Sequence, residues 1–75
     1  MSDIHAAADV IVTVNGAPRP APAGSSVRDL VEGLGFAGRP IAVEVDGEVV
    51  PRAGLGDRLL AGGERIEIVT FVGGG

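Results

Sequence analysis

The most reactive group in this chain stands at its end. Thr70-Phe71-Val72-Gly73-Gly74-Gly75 runs from an apolar segment into three bare glycines and an α-carboxylate. A terminal carboxyl titrates near pH ~3.3–3.7, so this one is ionised at neutral pH. An unhindered carboxylate can attack the α-phosphate of ATP to give an acyl-adenylate, which a sulfur nucleophile can then displace. Such chemistry needs the active site of an enzyme to reach the terminus. Glycine suits a narrow tunnel because it has no side chain and accepts any φ the tunnel imposes. Residues 72–75 can reach about 13 Å at ~3.3–3.6 Å each. A frayed terminus is the ordinary reading of a triple glycine. It is weakened here because the glycines follow an apolar strand with no polar spacer.

Little else in the chain offers catalysis. His5 is the one histidine and lies in an alanine-rich, pattern-free stretch, residues 1–8, which reads as a disordered extension. There is no cysteine, so neither a disulfide nor a thiolate metal site is available. All six basic residues are arginine, so no ε-amine can form a Schiff base or accept an isopeptide bond. Glu44, Asp46 and Glu48 cluster around a turn and read as solvated surface, not as an acid–base pair. Gly54-x-Gly56 and Gly62-Gly63 lack the strand–helix setting of a nucleotide fingerprint. A net charge of −4 and a pI near 4.6 disfavour nucleic acid. No apolar run approaches the ~20 residues of a membrane span, and residues 1–8 lack the form of a signal peptide. A soluble cytoplasmic protein is expected.

The elements that must carry the tail follow from pattern. Seventy-five residues make one small domain, which buries about 60% of its unfolded surface and so has a thin core. Residues 9–14 (DVIVTV) are β-branched and run into Asn15-Gly16, a strong hairpin signal. The return, residues 17–22, carries three prolines and must be an edge strand or a loosely paired arm. Ser26 is an N-cap candidate with Asp29 three residues on. Val27, Leu30, Val31 and Leu34 form one helical stripe, closed by Gly33, Gly35 and Gly38 with Pro40 beyond. Ile41–Val45 alternates, Asp46-Gly47 turns it into Glu48–Val50, and residues 51–63 are an irregular connection holding Leu59-Leu60. Residues 64–71 (ERIEIVTF) form the last strand. The order ββ–α–ββ–β with one short helix predicts an α+β fold, a mixed four- to five-stranded sheet with the helix across one face.

Period two sorts the faces. Val10, Val12, Val14, Ile41, Val43, Val45, Ile66 and Ile68 should meet the helix stripe. Ile11, Thr13, Val69 and Phe71 fall on the other face. If the first and last strands are neighbours, these four form an exposed apolar patch beside the tail. Such a patch marks a partner surface, or the four are scattered surface hydrophobes of an ordinary kind.

Taken in order, VTVNG (residues 12–16), GSSVRDL (24–30), IAVEVDGEVVPR (41–52), GERIEIV (63–69) and FVGGG (71–75) resemble the ThiS family of sulfur carriers in thiamine biosynthesis. The resemblance covers nearly the whole chain beyond the extension. It implies a ubiquitin-like β-grasp fold over residues 9–71 with a flexible Gly-Gly tail at 72–75. It also implies a carrier and not an enzyme. An E1-like adenylyltransferase activates the terminal glycine with ATP held in its own site. A cysteine-derived persulfide from a desulfurase makes the thiocarboxylate, and thiazole synthase takes the sulfur. Carried onto this chain, Gly75 bears the sulfur with Gly74 beside it, and Phe71, Val72, Val69, Ile11 and Gly73 serve docking. No cofactor, metal, nucleic acid or membrane is implied, and a monomer is expected. Two local departures leave the tail untouched: Ala53-Gly54-Leu55 follows Val50-Pro51-Arg52 without the usual aromatic, and Glu64 stands where Asp is commoner. The extension before Asp9 is longer than the family norm. Three alternatives stay open: a sulfur carrier for molybdopterin or another product, a ubiquitin-like modifier, and an interaction module with an inert tail. The fold does not separate them.

Overall fold

Local signals place each turn. The computed structural model describes residues 9–71. Asn15 and Gly16 (φ 48° and 87°) and Asp46 and Gly47 (φ 51° and 85°) all sit in the left-handed region. Positive φ at both central residues is the type I′ geometry that suits strand twist in a two-residue hairpin. The first turn joins β1 (Val10–Val14) to β2 (Ala17–Ala21), and the second joins β3 (Ile41–Val45) to β4 (Glu48–Val50). In the first hairpin Val14 pairs with Ala17, Thr13 with Pro18 and Ile11 with Pro20. Hydrogen-bonded pairs alternate outward from the turn, so Pro18 and Pro20 fall where their nitrogens face away from β1. The prolines therefore cost no ladder bond, and they blunt the outer edge.

The helix α1 (Val27–Gly33) is set by its ends. The capping box is complete: Asp29 N–H donates to Ser26 Oγ (3.0 Å), and Ser26 N–H donates to Asp29 Oδ2 (2.9 Å). The next free donors are taken by the connection that precedes the last strand. Val27 N–H donates to the Arg58 carbonyl (2.8 Å) and Arg28 N–H to the Leu55 carbonyl (3.0 Å). At the other end Gly35, at φ 91°, donates to the Glu32 carbonyl while Phe36 N–H donates to the Val31 carbonyl, both at 3.0 Å. That paired closure is the Schellman arrangement, and its left-handed position favours glycine.

The strands assemble in the order β2-β1-β5-β3-β4, where β5 is Arg65–Thr70. The last strand thus lies at the centre, parallel to β1 and antiparallel to β3. The expected inward set meets the helix: Val12, Val14, Val43, Val45, Ile66 and Ile68 are buried with Val27, Leu30 and Val31. Val10, Ile41 and Leu34 pack on the margin. The connection over 51–63 is irregular, as expected, yet it is firmly attached. It holds a short 3-10 turn (Arg52–Gly54), adds Leu55 and Leu60 to the core, and bridges to the helix cap through Ser26 and Leu59. Leu60 is the buried member of the Leu59-Leu60 pair, and Leu59 points out. No helix of the described residues is long and apolar enough to cross a membrane.

Candidate functional site

The candidate site is the end of β5, because that strand delivers the chain to the glycines. β5 is the central strand, so the base of the tail is held on two sides. On one side Ile41 pairs with Thr70 and Ala42 with Val69, and Phe71 N–H donates to the Pro40 carbonyl (3.1 Å). On the other side β1 matches β5 for only two residues, Thr13 with Arg65 and Val14 with Ile66. Beyond that point a side chain continues the ladder. Asn15 Nδ2 donates to the Ile68 carbonyl (3.2 Å), and Ile68 N–H donates to Asn15 Oδ1 (2.8 Å). The amide of Asn15 therefore stands in for one more peptide of β1. The same residue supplies the first left-handed position of the hairpin turn. Nothing in the sequence pattern separates these two roles; the Asn-Gly signal shows only the turn.

The outward face of this end carries Val69 and Phe71, 53% and 56% exposed. Val49, 64% exposed, joins it from β4 through its pairing with Glu44. The Asp-Gly turn and strand alternation are enough to place Val49 on this face. Glu44 and Glu67 are directly paired across β3 and β5, so an acidic rung borders the apolar end. Like charges placed opposite one another on one face oppose pairing.

The expected four-residue patch does not form as a unit. β1 and β5 are neighbours, but they run parallel with Thr13 opposite Arg65. That register sets Ile11 beside Gly63, whose N–H donates to the Ile11 carbonyl (2.8 Å). Val69 lies six residues further along β5, about 20 Å at ~3.3 Å per residue. Ile11 is exposed, at 53%, but it faces outward at the opposite end of the sheet from the tail. Strand adjacency alone was a poor guide; direction and register separate the two ends. Val72, Gly73, Gly74, Gly75 and His5 lie outside the described residues, as do the expected extension over 1–8 and the flexible tail over 72–75.

Two of the remaining carboxylates, Asp46 and Glu64, do structural work. Asp46 Oδ1 accepts the Arg65 N–H (2.8 Å) and ties the β3–β4 turn to the start of β5. Glu64 is buried, at 8% exposure; its Oε2 accepts from Arg58 Nη2 (2.6 Å) and its Oε1 accepts the Ala61 N–H (2.8 Å). The acidic residue at position 64 thus closes the turn that leads into β5. Among the described residues no group of three or more metal-ligating side chains comes together.

With this geometry in view, comparison with known proteins is direct. The model of the ThiS family matches residues 12–75. The solved structure of a thiamine biosynthesis protein (ThiS) from Geobacter metallireducens superposes with a TM-score of 0.74 at 30% identity, covering 88% of this chain and all of that one. A thiazole synthase of Magnetococcus marinus is 42% identical over 64 residues, and one of Paramagnetospirillum magneticum is 36% identical over 64. Each of those alignments takes in 85% of this chain but 20% of the relative, so the chain spans about a fifth of the length of these curated relatives. A five-stranded mixed sheet with one helix across it is the β-grasp arrangement, and with the match over residues 12–75 the chain belongs to the ThiS family.

Proposed function

We propose that this chain is a sulfur carrier of thiamine biosynthesis and that the carboxylate of Gly75 is the carrying group. The observation that supports this most is the extent of the family match, which runs through the glycines to residue 75. The carboxylate attacks the α-phosphate of ATP in the site of an E1-like adenylyltransferase, and pyrophosphate leaves. A persulfide sulfur, drawn from cysteine by a desulfurase, displaces AMP and forms an acyl disulfide. A second thiol cleaves that disulfide, leaving a thiocarboxylate on Gly75. The chain itself contributes no catalytic group; Gly74 and Gly75 follow in sequence a strand anchored from both sides, with Val69, Phe71, Val72 and Gly73 as the docking approach. It binds no cofactor, and ATP belongs to the partner.

Thiazole synthase is the proposed sulfur acceptor. Two proteins of that name contain a segment like this chain as a fifth of their length. Joining two partners in one chain raises their effective concentration, which is useful where a carrier must meet one acceptor. The carrier works as a monomer in the cytoplasm, where ATP and reduced thiols are both supplied.

The test is the intact mass of the chain after incubation with ATP, the adenylyltransferase of its own cell, and a cysteine desulfurase with cysteine. A gain equal to sulfur replacing one oxygen, mapped to Gly75, is expected. An unchanged mass in a reaction that converts a known carrier would overturn the reading.

A further inference from the structure

Arginine is the only cation in this chain, and three of the six arginines open onto one hollow of about 230 Å³. Arg28 comes from α1, Arg39 from the loop before β3 and Arg52 from the 3-10 turn. Arg52 belongs to the Val50-Pro51-Arg52 stretch, which neither the fold nor the tail chemistry explains. Its Nη2 donates to the carbonyl of Arg39 (3.2 Å), which turns its guanidinium toward the hollow. The Arg39 guanidinium lies over the Phe36 ring, 5.8 Å from its centre. Phe36 and Ile41, both half-buried, make part of an apolar wall between the cations. Glu32 is the one carboxylate on the lining, against three arginines. Among the described residues the ion pair is Arg58 with Glu64, elsewhere, and none of the three pairs with a described carboxylate.

The position of the hollow gives it meaning. Arg39 precedes Pro40, whose carbonyl accepts the Phe71 N–H, and Ile41 is paired with Thr70. The hollow therefore adjoins the end of β5, from which the chain continues to its glycines. The molecule as a whole carries a charge of −4. An acidic surface is repelled by most of it and attracted at this one place, which orients an encounter as well as strengthening it.

We propose that this hollow receives an acidic segment of the protein that handles the glycine end, a carboxylate between the guanidiniums with an apolar neighbour against Phe36 and Ile41. Guanidinium forks match carboxylates in geometry as well as charge. The proposal rests on the carrier reading for the identity of that protein, the adenylyltransferase, which must hold the glycine end while its carboxylate reacts.

Three forms of the full chain test it: wild type, R39Q/R52Q, and R19Q/R65Q, whose arginines lie outside the hollow. Affinity for each enzyme is measured by titration calorimetry without ATP at two salt concentrations, and KM and kcat for adenylation are measured in parallel. R39Q/R52Q should weaken binding to the adenylyltransferase about tenfold and flatten its salt dependence, while binding to thiazole synthase holds and R19Q/R65Q stays within about twofold. For adenylation, KM rises and kcat holds. R39K/R52K should recover part of the affinity, since it restores charge without the fork. Equal effects of the two glutamine pairs, an effect confined to thiazole synthase, or no binding of the wild type to the adenylyltransferase, overturn the site. Arginine-dependent binding without adenylation keeps the site and overturns the carrier reading; normal adenylation that ignores Arg39 and Arg52 does the reverse. All four residues replaced are exposed, and a matching thermal midpoint confirms that each variant folds.

Discussion

Asn15 combines two structural roles that substitution can separate. It occupies a left-handed turn position and also supplies two hydrogen bonds to the Ile68 backbone. Asn15→Gly keeps the backbone freedom and loses the amide; Asn15→Ala loses both. Urea unfolding should show Gly costing about 1–2 kcal/mol and Ala more, because Ile68 is left with an unmatched N–H and carbonyl and alanine resists positive φ. Equal losses would mean that the amide bonds carry no net stability. Glu64 is the other polar residue with a long reach. Glu64→Ala removes the acceptor for both Arg58 and the Ala61 N–H, and a loss of about 1–3 kcal/mol is expected, largely from the stranded amide. Arg58 is 40% exposed on its side chain and can turn to water, so Arg58→Ala should cost less than Glu64→Ala in the same assay.

Elements are positioned by their ends. Ser26→Ala removes the hydroxyl half of the capping box, the acceptor of the Asp29 N–H, and leaves the Ser26 N–H bond to Asp29 in place; it should cost about 1 kcal/mol, read as a fall in urea midpoint at unchanged slope. The bridge from residue 26 to Leu59 is made by backbone and survives the substitution, so the 55–60 connection stays in place. Register makes a prediction of its own. Phe71→Glu sets a charge at the tail end of β5 and should weaken binding to the adenylyltransferase at least tenfold by calorimetry, through the cost of desolvating that charge. Ile11→Glu, about 26 Å away along the sheet at ~3.3 Å per residue, should leave that affinity unchanged. Equal losses from the two would mean that docking covers the whole outer face and not one end.

On the proposed function, the molecule as a whole separates a stable body from a reactive end. Its core is built from residues between Val12 and Ile68. Removing Gly74 and Gly75 should therefore move the thermal midpoint by no more than about 2 °C while abolishing adenylation, measured as ATP–pyrophosphate exchange. A shortened chain that is still adenylated at the normal rate would sink the carrier proposal. Charge follows the same division: a molecule of net charge −4 gathers half its arginines beside the root of the tail.

Much of this was legible in the sequence because its causes are local. Asn15-Gly16 and Asp46-Gly47 dictate two-residue turns, Ser26 and Asp29 start the helix, Gly35 closes it, and alternation in VIVTV, IAVEV and RIEIV assigns side chains to faces. These depend on contacts within a few residues, and strand period and capping are written at that range. The glycine run was likewise legible, as a chemical property of the residues themselves. Three things waited for the tertiary structure. The central place of β5 and its parallel register with β1 decided that Ile11 and Phe71 stand at opposite ends. The folding of residues 51–63 onto the helix start decided that Leu55 and Leu60 join the core. The meeting of Arg28, Arg39 and Arg52 came from three separate segments. Each is a long-range pairing, and its energy comes from surfaces that touch only after the chain has closed on itself, so no window of sequence contains it.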